Sequence, residues 1–479
     1  MRSITRRQFL GDSATLAAAL ASLRGLPSVS AAPVETKKAS VNDRLRVAVI
    51  GVNGRGRDHV KGFANKHNCV VNTICDADSG VIGPAMTAVE KTQGKPPRFE
   101  QDLRRVLDDK SIDLVSIAMP NHWHALAAIW AMQAGKDVYV EKPVSHNVSE
   151  GHRIVETARR HQRICQTGTQ IRSSPGMRQA IEFLHSGKLG KVKVARGLCY
   201  KLRLPIGKVD GPQRIPATAN YDLWCGPAPL EPLMRLRLHY DWHWFWDYGN
   251  GDLGNQGIHQ MDVARWGLGK SELPPSVVSL GGRFGYVDDG QTANTQICLY
   301  DYGDSQLIFE VRGLLTTAFQ GAKIGNIFHC EKGMLVCPGY DGGVAYSPSG
   351  EVLERFRGAG DHYGNFVQAV RERKPELLNA DILEGHLSSA LCHLGNISYR
   401  LGTLQPFNNR AKAFGEDREA HETLARMEEH LRQNRVPLDK APYRLGRKLR
   451  VDPRNEAVIG DAEASGYLSR GYRKPFVIA

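Results

Sequence analysis

The sequence predicts an α/β chain: an N-terminal doubly wound parallel sheet, then an α+β domain with a mainly antiparallel open sheet. Three observations carry this. Continuous apolar runs alternate with helical spacing from about residue 45 to 165, a glycine loop directly follows the first run, and beyond residue 190 the strands lengthen and alternate between Gly and Asp-Gly turns. Strands covered on both faces read as unbroken apolar runs, whereas period-2 alternation belongs to antiparallel sheets. At 479 residues the chain is too long for one simple core and calls for at least two domains.

Taken in order, "LRVAVIG" (45–51) is the first buried strand, and a helix starts near Gly56. Further strands are expected at 69–76, 112–120, 137–143 and 163–170, with helices at 124–135 and 149–161 between them. This alternation defines a doubly wound domain over 44–165. From 166 to 405 the runs "KVKVARGLCY", "PSVVSLGGRFGY", "ANTQICLYDY" and "SQLIFEVRG" read as strands, and 362–373 and 383–402 as helices. The last segment, 406–479, carries an amphipathic helix with Leu424, Met427 and Leu431 on one face. A basic arm follows, to be draped over the body or over another subunit.

The composition, 41% hydrophobic and 24% charged, is that of an ordinary globular protein. A net charge of +13 raises the question of nucleic acid, but the positive residues are scattered and form no binding signature. No nucleic-acid partner is expected. The N-terminus reads differently. "TRRQFLG" (5–11), a weak apolar stretch (13–23) and the small-residue run "SVSAA" (28–32) have the layout of a twin-arginine signal peptide over 1–31, followed by a polar linker, 32–43. The apolar stretch is too short for a stable membrane span. The expected location is the periplasm, reached through the twin-arginine export machinery. Nine cysteines, an odd count without any C-x-x-C, read as buried thiols rather than disulfides.

The loop "GVNGRG" (51–56) departs from G-x-G-x-x-G, with Asn53 at the middle position and Gly54 one residue late. It still follows a buried strand, opens a helix and lies twenty residues before Asp76, at the end of the next strand. That context puts backbone N–H groups of Gly51, Asn53, Gly54, Arg55 and Gly56 on a pyrophosphate and the Asp76 carboxylate on ribose hydroxyls, as in a Rossmann dinucleotide site. A carboxylate there disfavours a 2′-phosphate, so NAD is preferred over NADP.

Two further stretches, "SIAMPNHWHA" (116–125) and "YVEKPVSHNVSEG" (139–151), resemble the paired motifs of the glucose–fructose oxidoreductase, inositol dehydrogenase and rhizopine-catabolism (Gfo/Idh/MocA) family. The resemblance covers 44–405. It implies that Lys142 of Glu141-Lys142-Pro143 lies beside the nicotinamide and the reacting carbon, with a cis bond before Pro143. It also implies that Pro120, Asn121, His124 and Glu141 line the cofactor loop. A third stretch, "GNGDLGNQGIHQMD" (249–262), matches the family pattern with Asn255 where the family has Asp. His259 is retained as a base with an ordinary pKa near 6.5, so a rising pH limb within a unit or two of that value is expected. Asp262 reads as structural. By the same resemblance Gln170 and Arg172 contact substrate, and the chain is a homo-oligomer.

His122-x-His124 lacks a third ligand, and no metal is expected. "HYDWHWFWDYGNG" (239–251) holds three tryptophans, two tyrosines and a phenylalanine, suited either to a core or to stacking on a sugar through Trp242, His243 and Trp246. The expected function is an exported oxidoreductase with tightly bound NAD, acting on a hydroxyl of a sugar or glycoside. An NAD-dependent glycosidase and a non-catalytic sugar-binding protein with a vestigial cofactor domain are the alternatives.

Overall fold

The computed structural model describes residues 44–407 and 414–478. The expected signal peptide and the linker lie outside the described residues.

The first sheet is parallel throughout, in the order β3-β2-β1-β4-β5-β6. Its strands are β1 (Leu45–Ile50), β2 (Cys69–Cys75), β3 (Arg98–Glu100), β4 (Leu114–Ile117), β5 (Asp137–Val140) and β6 (Cys165–Thr167). β1, β4 and β5 are apolar almost end to end because helices cover both faces. The edge strand β3 escapes the apolar reading because its three residues are partly exposed. Helix α1 (Gly56–Phe63) opens directly from the glycine loop, and α2 (Asn121–Gln133) begins where the Pro-Asn motif ends β4. α3 (Val148–Arg160) is capped by Asn147, whose side chain accepts from the Glu150 N–H. The strand order reverses between β1 and β4, and ligands bind beyond the carboxyl ends of strands at such a crevice.

The second sheet runs β14-β13-β12-β11-β7-β10-β9-β8-β16-β15, with β17 also pairing to β8. Its strands are β7 (Val192–Cys199), β8 (Ser276–Gly282), β9 (Thr295–Asp301), β10 (Gln306–Arg312), β11 (Ile324–Cys330), β12 (Gly333–Cys337), β13 (Gly342–Tyr346), β14 (Val352–Arg357), β15 (Thr403–Gln405), β16 (Tyr443–Leu445), β17 (Leu449–Asp452) and β18 (Ala457–Val458). All pairings are antiparallel except β7 with β10. The alternation along β9 sorts residues between two cores rather than between core and water. Ile297 and Leu299 join the side covered by α6 (Arg418–Gln433), whose Leu424, Met427 and Leu431 are buried there. Cys298 and Tyr300 join the other side, covered by α4 (Gly257–Gly267) and α5 (Ile382–Arg400).

The C-terminal arm packs on its own chain. β16 and β17 extend the second sheet beside β8. Farther on, Arg473 pairs with Asp222, and Phe476 is buried edge-on against Trp123 of α2 at 5.5 Å. The arm therefore ties the second sheet back to the first domain. All nine cysteines are free thiols and eight are fully buried, as small apolar side chains. No described helix is long and apolar enough to cross a membrane.

Candidate active site

A cleft of about 510 Å³ opens at the carboxyl ends of β1, β2, β4 and β5 and is closed on its far side by residues between β7 and α4. Gly51, Asn53, Gly54, Arg55, Asp76, Pro120, Asn121, His124, Glu141, Lys142, Gln170, Trp242, His243, Asn255 and His259 all line it. Residues spread over more than 200 positions thus converge on one space.

The glycine loop divides its tasks. Gly51 has φ +83, and a Cβ there would stand 2.7 Å from the Ala118 carbonyl oxygen. A Cβ on Gly56 would stand 1.8 Å from the Gly51 carbonyl oxygen, so this glycine, which does not itself line the cleft, lets α1 start against β1. A Cβ on Gly54 would meet no protein atom within 4 Å. Gly54 therefore faces open cleft and supplies the bare backbone that the missing middle glycine would offer, while Asn53 keeps negative φ. The Asp76 carboxylate accepts from the Val52 N–H at 2.8 Å and the Asp78 N–H at 3.1 Å, which locks it to the loop. Burial pushes its pKa above the ordinary value, and those two donors offset only part of the effect. Each carboxylate oxygen retains lone pairs for ribose hydroxyls. The Asn121 Oδ1 is buried without a partner. A bare loop at a helix N-terminus, a fixed carboxylate and an orphaned acceptor fit NAD.

Below the loop, Glu141 is buried and accepts from Arg55 Nε at 2.9 Å. It also meets His59 Nε2 at 3.1 Å, and the other His59 nitrogen contacts the Ser116 hydroxyl at 2.7 Å. Burial opposes the Glu141 charge, but the His59 hydrogen bond and the Arg55 and Lys142 charges overcome it and hold the carboxyl well below its ordinary pKa. Burial also works against the Arg55 charge, yet Glu141 raises its pKa above the ordinary value. Sequence reasoning missed His59, whose place on the buried face of α1 gives no signal of its partner 82 residues away.

The Lys142–Pro143 bond is cis. Lys142 Nζ donates to the Asn255 backbone oxygen at 3.0 Å and lies 3.4 Å from the Asn255 side-chain oxygen. Burial lowers its pKa, and the nearby Arg55, Lys201 and Arg203 charges add to that against Glu141. One turn along, His259 Nδ1 is buried without a hydrogen-bond partner, with the Tyr340 ring 5.3 Å away. Burial, reinforced by Lys142, drives the His259 pKa well below 6.5. This corrects the expected limb near 6.5. The residue is a neutral imidazole across the neutral range, because charging it would place another cation beside Lys142.

Two expected substrate contacts are elsewhere. Arg172 is buried in an ion pair with Asp262 at 2.8 Å and a second with Glu384 at 2.9 Å, so its guanidinium is consumed in joining α4 to α5. Asp262 has the structural role its position suggested. Trp246 is absent from the cleft wall, with the Arg400 guanidinium 4.8 Å from its ring. The other aromatics divide between the two readings. Trp242, Trp244, Phe245 and Tyr248 all belong to one buried core cluster, and of these four Trp242, stacked on His243 at 3.7 Å, also borders the cleft, beside Tyr240. Both ring nitrogens of His122 face the carbonyls of Trp224 and Tyr248, and those of His124 face Pro143 and Met119. The ring nitrogens of the two histidines are thus turned to different carbonyls rather than to a common point. Lys201, Arg203 and Gln256 also line the cleft and were not anticipated, since polar residues in an irregular segment carry no periodic signal.

Residues 45–169 match the family described as "Oxidoreductase family, NAD-binding Rossmann fold", and 182–434 match its "C-terminal alpha/beta domain". The chain belongs to the Gfo/Idh/MocA oxidoreductase family. Its first domain is that family's NAD-binding domain, and NAD is the cofactor its cleft fits. Among curated relatives, a "Glycosyl hydrolase family 109 protein" of Shewanella pealeana is 32% identical over 43% of this chain and 48% of its own length. An "Alpha-N-acetylgalactosaminidase" of Shewanella oneidensis is 28% identical over 40% and 45%. The chain thus spans about half the length of the curated relatives it matches. Among solved structures, the Gfo/Idh/MocA fold is shared with the WlbA dehydrogenase of Bordetella pertussis in complex with NADH and UDP-GlcNAcA, at TM-score 0.53, 19% identity, and coverage of 73% of this chain and 94% of that one. Levoglucosan dehydrogenase, in complex with NADH and levoglucosan, has TM-score 0.52 and 19% identity over 73% and 95%.

Proposed function

We propose that this chain is an exported oxidoreductase that retains NAD and uses it on a hydroxyl of a sugar or glycoside. One observation carries the reading: Lys142 of the first domain and His259 of the second, 117 positions apart, line the same cleft as the glycine loop and Asp76. Bound NAD supplies the hydride acceptor. The neutral His259 takes the hydroxyl proton, and the Lys142 ammonium stabilises the developing alkoxide, leaving a ketone. Trp242 contributes apolar surface to the cleft wall on which a sugar would lie. The relatives' names and the sugar ligands of the solved neighbours support a carbohydrate substrate.

Export rests on the sequence at 5–32. The periplasm holds no pool of NAD, so an exported enzyme needs cofactor bound before export and regenerated in place. The decisive experiment denatures mature protein from the periplasm and assays the released nicotinamide cofactor. About one NAD(H) per chain is expected, and a yield far below that would remove cofactor retention. A glycosidase that oxidises its substrate transiently is a second reading, favoured by the relatives named as glycosyl hydrolases. Release of the aglycone from a chromogenic glycoside, with no net NADH formed, would select it.

A further inference from the structure

We propose that the substrate carries a carboxylate, held between Lys142 and Lys201, two ammoniums that consecutive residues Asn255 and Gln256 gather in the cleft and with which no described carboxylate forms an ion pair. The inference rests on the carbohydrate reading above and narrows it to acidic sugars, such as hexuronic acids or their glycosides.

Lys142 Nζ is held by the Asn255 oxygens, and Lys201 Nζ donates to the Gln256 side-chain oxygen at 2.9 Å. Every one of these partners is a neutral amide. Among the described residues neither ammonium forms an ion pair. The carboxylates nearby are already committed: Glu141 to Arg55 and His59, and Asp252 to Arg203, at 2.6 Å for its nearest contact. Two cations are left over on the cleft wall, each half-buried. His243 and His259 on the same wall are both driven to the neutral form, His243 to about 3, by burial with the lysine charges adding to it.

Buried charge without a partner is costly, and a cleft of one sign concentrates ligands of the other. A sugar hydroxyl could accept from either ammonium but would leave the charge in place. Oxidised nicotinamide is itself cationic, so the cofactor's reactive end adds to the excess. A carboxylate beside the reacting hydroxyl neutralises it and makes charge-assisted hydrogen bonds about twice as strong as neutral ones.

The test measures binding by calorimetry to the protein as purified from the periplasm. The ligands are matched methyl glycosides and methyl uronides of gluco, galacto and manno configuration. At least one uronide should bind ~10-fold or more tightly than its neutral partner, about one tenfold step of affinity. Lys201→Met should bring that ratio close to one, and Lys201→Arg should keep it. Equal or weaker binding of every uronide overturns the proposal, as does a preference that survives Lys201→Met. Turnover separates this from the parent reading. A neutral glycoside that reduces bound NAD while uronides do not bind sinks only the carboxylate. A tightly bound uronide that never reduces NAD sinks only the oxidoreductase.

Discussion

The two ends of the cleft are built differently. At the cofactor end most polar groups are paired within the protein, Asn121 Oδ1 excepted: Asp76 with two loop N–H groups, Glu141 with Arg55 and His59, and His124 set between two carbonyls. At the substrate end they are left open. The His259 Nδ1 and Gln170 Oε1 are buried without partners, and Lys142 and Lys201 have only amides. The cofactor end is a preformed mould, whereas the substrate end holds unmet hydrogen-bonding capacity and charge. Holding a cofactor in one pose needs the first, and chemistry on an exchanging ligand needs the second.

The largest effects should follow from emptying the open end. His259→Ala should slow single-turnover reduction of bound NAD by about 10²–10⁴-fold, the usual worth of a positioned general base. In the unaltered protein the base is active when neutral, so rate rises with pH through its pKa. That pKa lies well below 6.5, and the rate should be flat from pH 6.5 upward until Lys142 begins to lose its proton, below 10.5. A rising limb at 6.5 that vanishes in His259→Ala would show an open, hydrated site instead. Asn255→Asp would place a carboxylate beside Lys142 and should push the alkaline fall to higher pH.

Lys142→Ala should cost about 2.7–4 kcal/mol of transition-state stabilisation, roughly 10²–10³-fold in the same assay. Unchanged turnover would take Lys142 out of the chemistry and leave only its charge.

At the paired end the effect moves from rate to retention. Asp76→Ala should weaken NAD binding by about 1–3 kcal/mol, the cost of unpaired hydroxyls. It also frees the Val52 and Asp78 N–H groups, so a lowered melting temperature of the cofactor-free protein should accompany the loss. Weakened binding with no change in melting would mean the loop does not depend on its carboxylate.

The last effect falls on neither rate nor retention and concerns acid stability. Burial lowers the pKa of both His122 and His393 to about 3. Between pH 6.5 and about 3 the unfolded chain binds protons there that the folded chain refuses, so stability is full above 6.5 and falls with acid. Each histidine should contribute about 1.4 kcal/mol per pH unit over that window. Urea titrations at stepped pH should show a shallower dependence for His393→Gln than for the unaltered chain.

Much of this was legible in residue order because it depends on local rules. The apolar runs of β1, β4 and β5 stand out because both faces are covered, and Gly51 and Asp76 because a dinucleotide turn needs them at fixed distances along one βαβ unit. Leu424, Met427 and Leu431 show a helical face by spacing alone, and it is the face that is buried. Arg172 and Trp246 looked suited to substrate by type and neighbourhood. Whether a guanidinium meets a ligand or Asp262 depends on a contact 90 residues away.

Only the assembled chain decided the rest. His59 became the partner of Glu141 when α1 packed over β5, and Lys201 entered the cleft because an irregular segment, without period or motif, lies beside Gln256. The depressed pKa of His259 has the same origin. Its residue type carries an ordinary value near 6.5, but burial and the Lys142 charge, brought by a different domain, decide which form is stable. Residue order specifies what each side chain can do. Desolvation and long-range charge, which exist only after folding, decide what it does.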